Sequence, residues 1–199
     1  MNAKAEQKER THETILQSTS RLLRQRGISG ASVADVMKGA GLTVGGFYAH
    51  FDSKNALVDE ALRRTSASTR AGLFAGLEQK PLADRAVVVL KRYLSAAHRD
   101  DTAGGCPLPA VVGEIGSTAE EHRAVLSEQI EAMAVGLQSQ LPTPRGVVSP
   151  RHLAIGLAAL MYGGLSLARA LRGTGLSDEV LKACREIGGL ALRSNTPKD

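Results

Sequence analysis

The chain has 199 residues, 43% of them hydrophobic and 23% charged, with a formal net charge of +5 and a pI near 9.5. It is long enough to bury a real core and too balanced in composition for wholesale disorder, and its modest basic excess is compatible with a nucleic-acid partner without proving one. Two widely separated cysteines, Cys106 and Cys184, exclude a disulfide-stapled secreted scaffold and a C-x-x-C site, and they point to a reduced, cytoplasmic setting.

The N-terminal MNAKAEQKER lacks the apolar core of a signal peptide. Residues 10–26 predict a first helix with Ile15, Leu16, Thr19, Leu22 and Leu23 on one face, closed by Gly27. Ser32 is a suitable N-cap for a second helix, with Asp35 in the capping-box position. Val33, Val36, Met37 and Ala40 fall at i, i+3, i+4, i+7 and give that helix one apolar face. Gly41 stands where two steeply crossing helices need a residue tolerant of a left-handed backbone. Thr43 is expected to cap a third short helix, in which Val44, Phe47, Tyr48 and Phe51 repeat the apolar spacing. Two short helices joined this tightly can place the second in a DNA major groove. Residues 1–65 carry ten Lys or Arg against seven Asp or Glu, which is weak support because a solvated surface looks similar.

Ser53 is expected to cap a long helix over 54–77, running through Leu57, Ala61, Leu62, Leu73 and Phe74. A helix over 82–98 follows Pro81, with Ala86, Val89, Leu90 and Tyr93 on one side, before HRDDTAGGCPLP breaks the pattern. Helices are predicted over 108–115 and 118–140, a turn-rich connector over 142–150, two last helices over 151–171 and 177–193, and a frayed SNTPKD tail. The pattern is all-α. The longest uncharged run, Leu153 to Ala168, has 16 residues. As a helix it spans about 24 Å, short of the roughly 30 Å of a bilayer core, so it is expected to be buried in protein and not in a membrane. Leu153, Leu157, Leu160, Gly164 and Leu167 share one face of the first of these helices; Val180, Cys184, Ile187 and Ala191 share one face of the second. A helix apolar nearly all round must be covered on every side. A second copy of the same pair is the economical cover, so residues 151–171 and 177–193 are expected to form a two-fold, four-helix homodimer interface.

Residues 10–57 resemble the TetR family of bacterial transcriptional regulators. The resemblance rests on Ser32, Ala40-Gly41, Thr43, Gly45, Phe47, Tyr48, His50-Phe51, Lys54 and Leu57. It implies an N-terminal three-helix helix-turn-helix DNA-binding domain (1–53) followed by a larger helical effector-binding and dimerisation domain (54–199). It also implies a homodimer whose recognition helices enter successive major grooves of a palindromic operator. Thr43, Tyr48, His50 and Lys54 match positions that hold phosphates, and their hydroxyl, phenol, imidazole and ammonium groups are suitable donors; for Tyr48 and His50 the alternative is plain packing. Many members carry basic residues where this chain has Val44 and Ala49. Base reading here is therefore expected to lean on Val44 against a thymine methyl and on close backbone approach at Gly45 and Gly46. Each glycine costs about 1 kcal/mol of helix propensity, so the recognition helix is expected to be short and to settle further on DNA.

The C-terminal region is expected to bind a small apolar effector, with Phe74, Tyr93, Met133, Met161 and Tyr162 as candidate pocket residues and ordinary core as the alternative. Cys106, between Gly-Gly and Pro near a helix start, is a candidate redox or electrophile sensor, with an incidental structural cysteine as the alternative. Cys184 reads as core. No catalytic, cofactor or metal motif is present: H-E-x-x-H, the P-loop, G-x-S-x-G and zinc-finger spacings are all missing. Glu120, Glu121 and His122 are expected to form a solvated charged face. The expected function is a cytoplasmic, sequence-specific repressor released from its operator by a small apolar ligand. The alternatives are a helical ligand-binding protein or enzyme with a vestigial helix-turn-helix, and a nonspecific architectural DNA-binding protein.

Overall fold

The computed structural model describes residues 3–101, 103–142 and 148–194; most of the expected 142–150 connector and all but Ser194 of the expected tail lie outside the described residues. The helices are α1 (Ala3–Arg26), α2 (Val33–Gly39), α3 (Lys54–Phe74), α4 (Leu82–Tyr93), α5 (Ala96–Asp100), α6 (Leu108–Ser117), α7 (Arg123–Gln138), α8 (Pro150–Ala170) and α9 (Gly175–Ser194). Short 3₁₀ helices cover Val44–Ala49, Leu77–Gln79 and Glu120–His122. No strand occurs among the described residues, and the fold is all-α.

Three boundaries differ from the sequence reading for local reasons. The first helix begins at Ala3, because residues 3–9 are good helix formers that extend it into solvent. The expected 82–98 helix breaks at Leu94, since the Ser95 side chain accepts the His98 amide and starts α5. The third helix of the motif is a 3₁₀ helix, as described below.

One compact unit comprises residues 1–67 with 103–126. Its core is built from Ile15, Leu16 and Leu23 of α1, Val36 and Met37 of α2, Phe47 and Phe51, Leu57, Val58, Ala61 and Leu62 of α3, and Val111 and Ile115 of α6. Helix α2 crosses α1 closely: Ser18 donates to the Val36 carbonyl at 2.9 Å, and a Cβ on Gly39 would lie 2.4 Å from Ser18 Oγ. This unit runs through the first half of α3 and takes in α6. The solvated face expected at 120–122 is not what forms. His122 is 1% exposed, and its Nδ1 lies 2.7 Å from Asp59 Oδ1 on α3. A long-range carboxylate thus draws the imidazole inward while Glu120 and Glu121 stay outside.

The second unit comprises residues 68–102 with 127–199. Helices α4, α8 and α9 pack through Val89, Leu90, Leu94, Leu157, Met161, Leu165 and Leu181. Gly164 lies against Cys184 and Leu94, and Gly188 lies against Leu90 and Leu160, so small residues set how near the helices approach. Arg99 ties α5 to Ser177 and Asp178 of α9. The single apolar face expected on α8 is divided. Leu153, Leu157 and Gly164 are buried, Leu160 is half-buried and Leu167 is exposed, because α9 covers only one side of the helix. Helix α8 is long and apolar enough to cross a membrane by composition; half of its most apolar window is buried in protein.

Candidate nucleic-acid interface

The interface begins with two helix ends. Ser32 Oγ accepts the Asp35 amide at 3.0 Å and donates to the Asp35 carboxylate at 2.6 Å, fixing the start of α2. At the other end Gly41 has φ +71°. The Leu42 amide donates to the Met37 carbonyl at 2.9 Å and the Gly41 amide to that of Lys38 at 3.1 Å, a Schellman closure that ends the helix and reverses the chain. A Cβ on Gly41 would meet nothing, so the requirement there is the backbone angle alone.

The chain then enters the Val44–Ala49 segment. Its turns close over three residues: the Gly46 amide donates to the Thr43 carbonyl and the His50 amide to that of Phe47. Gly45 and Gly46 weaken α-helical continuation, and a six-residue segment favours the tighter winding. Thr43 holds the extended N-cap backbone, but its hydroxyl makes no capping bond, contrary to expectation. The expected apolar face also divides. Phe47 and Phe51 are buried and stacked, with ring centroids 5.9 Å apart, whereas Val44 is 50% and Tyr48 75% exposed. A segment this short anchors through one edge and leaves the other outside. Thr43, Val44, Gly45 and Tyr48 are exposed together or nearly so, and Gly46 is half-buried over Met37. These are the groups expected at DNA.

Lys54 is placed differently. Its ammonium donates to the Ile28 carbonyl at 3.0 Å, bridging the start of α3 to the turn after α1. That turn is built around Gly27, with φ +70°, and around Glu114 of α6. The Glu114 carboxylate accepts the Ile28 amide (2.8 Å), the Ser29 amide (2.8 Å) and the Ser29 hydroxyl. Burial pushes its pKa up, but the Ser29 and Ile28 bonds and the nearby Lys54 charge outweigh that and hold it below the usual carboxylate range. Sequence reading missed Glu114, because nothing local marks a residue 85 positions beyond the turn it holds.

His50 follows the 3₁₀ segment. It is half-buried, with its ring centroid 6.1 Å from that of His12, and its Nδ1 is buried with no hydrogen-bond partner among the described residues. Burial, then the His12 charge, then that of Lys8 hold its pKa below the ordinary imidazole value. His12 itself stacks on Phe51 at 4.4 Å and lies 2.7 Å from Glu60, clipping α1 to α3. His50 and α1 line an open cleft of about 660 Å³.

The candidate effector residues are not gathered into one place. Tyr93 and Tyr162 meet edge to face at 5.6 Å, with Met161 beside Tyr162 in sequence, whereas Phe74 lies against Gly136 of α7, one turn beyond Met133. Tyr93, Met133 and Met161 are closed off from solvent. Cys106 forms no disulfide among the described residues and is buried, 1% exposed. Cys184 is half-buried, and burial raises its pKa.

Residues 15–61 match the family model for bacterial regulatory proteins of the tetR family. The chain is 25% identical over 169 residues to an HTH-type transcriptional regulator of Lactococcus lactis, covering 80% of this chain and 83% of that one. It is 30% identical over 88 residues to the HTH-type transcriptional repressor KstR2 of Rhodococcus jostii, covering 42% and 43%. A TetR transcriptional regulator of Chloroflexus aurantiacus superposes with a TM-score of 0.72 at 26% identity, covering 96% of this chain and 98% of that structure. The likeness spans both the helix-turn-helix and the helical remainder: residues 15–61 carry a tetR-type DNA-binding domain, and the chain as a whole is similar to TetR-type DNA-binding transcriptional regulators.

Proposed function

We propose that the protein is a homodimeric repressor that holds a palindromic operator and is released from it by a small apolar ligand. The observation that carries the reading is the division of the Val44–Ala49 segment: Phe47 is locked in the core while Val44 and Tyr48 stand in solvent beside the backbone of Gly45. Large side chains held outward on a rigidly anchored edge suit a groove. Tyr48 supplies a phenolic donor to a phosphate, and Val44 an apolar contact to a thymine methyl. Thr43 offers a hydroxyl that no capping bond occupies. Lys54 acts from its bond to Ile28, as a field on the backbone and as an anchor of the turn.

Regulators of this family bind operator DNA as dimers and respond to small-molecule effectors. For this chain the dimer face is assigned to α8 and α9. Gly156, Ala159, Gly163 and Leu167 form an exposed stripe at i, i+3, i+7 and i+11 on α8; Leu176, Ala183, Ile187 and Leu190 form one on α9. Small residues let helix axes approach, and the large ones fill the seam. A two-fold axis makes such a patch its own complement. The same face gives the apolar outer side of α8 a protein partner in a cytoplasmic protein. Phe74, Tyr93, Met133, Met161 and Tyr162 are the effector residues in this reading; a ligand enters by displacing core contacts, and it releases DNA only by favouring one orientation of the domains. Cys106 is retained as a sensor only in a state that opens its surroundings. The reading assigns the protein no reaction.

In vitro selection from random duplex DNA tests the proposal. Enrichment of a palindrome with fixed half-site spacing supports it. A folded, dimeric protein that enriches no motif overturns it in favour of a ligand-binding protein with a vestigial motif.

A further inference from the structure

Among the half-buried arginines of the second unit, one is partnered unlike the rest. Arg85, Arg169 and Arg185 donate to backbone carbonyls, and Arg99 holds the carboxylates of Asp100 and Asp178. Arg70 of α3 donates from Nη1 to Oε1 of Gln129 on α7, at 2.8 Å, and that partner is neutral. Among the described residues no carboxylate pairs with Arg70, and its Nε and Nη2 have no acceptor. Those two nitrogens form the flat fork with which Arg99 grips Asp100, at 2.8 and 3.1 Å. A guanidinium drawn partly out of water loses hydration that one neutral amide restores only in part.

Gln129 is equally out of place. It is 5% exposed and shares the row i, i+4, i+8 on α7 with the buried Met133 and Leu137, where an apolar side chain is the ordinary choice. Its amide nitrogen has no acceptor among the described residues. Each helix then turns apolar one turn later: Phe74 follows Arg70 on α3, and Met133 follows Gln129 on α7. Arg70 meets Gln129 and Phe74 meets Gly136, so the contacts advance the same way along both helices. The polar pair therefore stands at one end of a short apolar run. Arg70 and Phe74 are both half-buried, so solvent reaches this side.

We infer that Arg70 and Gln129 bind the carboxylate of the effector, with its hydrocarbon or aromatic body along Phe74 and Met133. The inference rests on the effector-responsive reading above and narrows it: the ligand is a small monocarboxylic acid, held at the Phe74 and Met133 end and not at the Tyr93–Tyr162 pair. A planar carboxylate matches the open fork of Arg70, and the Gln129 amide supplies a further donor. One guanidinium balances one negative charge; a phosphate dianion would bring a second that nothing there balances.

The test is isothermal titration calorimetry of the full chain with hexanoate, octanoate and 4-phenylbutyrate, each against its methyl ester, on the wild type, Arg70→Lys and Gln129→Glu. Operator release by the same compounds is followed by fluorescence anisotropy on the wild type and the selected duplex. At least one acid should bind the wild type about 30-fold more tightly than its ester and release the operator. Arg70→Lys keeps the charge without the fork, and should bind that acid about tenfold more weakly. Gln129→Glu sets an internal carboxylate on Arg70. It should unfold at a midpoint no lower than the wild type and still bind the acid about 30-fold more weakly, a loss that a merely structural role does not produce. An ester that binds as tightly as its acid, or unchanged acid affinity in a folded Gln129→Glu, overturns the carboxylate seat and leaves the effector reading standing. Acids that bind through Arg70 without releasing the operator overturn the effector reading and leave the seat. Binding by no member of either series overturns both.

Discussion

Gly27→Ala and Glu114→Ala should destabilise the protein through one shared contact, and a double-mutant cycle measures it. Gly27 has φ +70°, where an alanine costs about 1–2 kcal/mol. The added Cβ would also sit 1.8 Å from Glu114 Oε1 and 2.9 Å from its Cδ, so the carboxylate must leave. Leaving strips the Ile28 and Ser29 amides, both at 2.8 Å, and the Ser29 hydroxyl of their acceptor. Water reaches this turn, so the three bonds together are worth about 2 kcal/mol and not the full value for buried charged bonds. Glu114→Ala alone should therefore cost about 2 kcal/mol, and Gly27→Ala about 3–4 kcal/mol. The double variant should also cost about 3–4 kcal/mol, because the carboxylate can be removed only once; the coupling is about 2 kcal/mol. Urea unfolding with a common m-value gives all three numbers. Costs that add to within about 0.5 kcal/mol would refute the shared contact. Both single variants should also weaken operator binding, since the Ile28 carbonyl that receives Lys54 belongs to the same turn.

The Glu114 carboxyl is held below its ordinary value of 4.5, so its contribution is complete above that pH and is lost as pH falls through the lower folded value. The stability gap between wild type and Glu114→Gln should accordingly be constant near neutrality and shrink in acid; a gap that widens in acid contradicts the assignment. Tyr48→Phe should reduce operator affinity about fivefold with no change in stability, the loss of one hydrogen bond from an exposed side chain. Lys54→Ala should instead lower both affinity and stability, the latter by about 1 kcal/mol, and an unfolding midpoint equal to wild type would remove its role at Ile28. Ile187→Glu puts a charge on the assigned dimer face, and sedimentation should show monomers; a dimer that persists moves the interface elsewhere. Cys106, 1% exposed, should resist alkylation under native conditions and react at a rate set by opening of the fold, and immediate labelling would show otherwise.

The sequence alone determined the helices with strong periodicity, because an apolar stripe, a capping serine and a terminating glycine are local signals. The end of α1 at Gly27, the Ser32 and Asp35 cap and the left-handed Gly41 are all where local chemistry puts them. Phe47 and Phe51 went to the core, as spacing predicts. Tertiary structure decided what depends on partners distant in sequence. Val44 and Tyr48 share the spacing of Phe47 and face the other way, since a six-residue 3₁₀ segment has one anchored edge. Lys54 turned to Ile28, His122 turned in to Asp59, and Glu114 came back 85 residues to hold a turn. The cleft between α1 and His50 exists only because α1 extends well ahead of its apolar face, into residues 3–9. Periodicity tells which way a side chain faces relative to its own helix; which charge or carbonyl waits there is set by elements that only folding brings alongside.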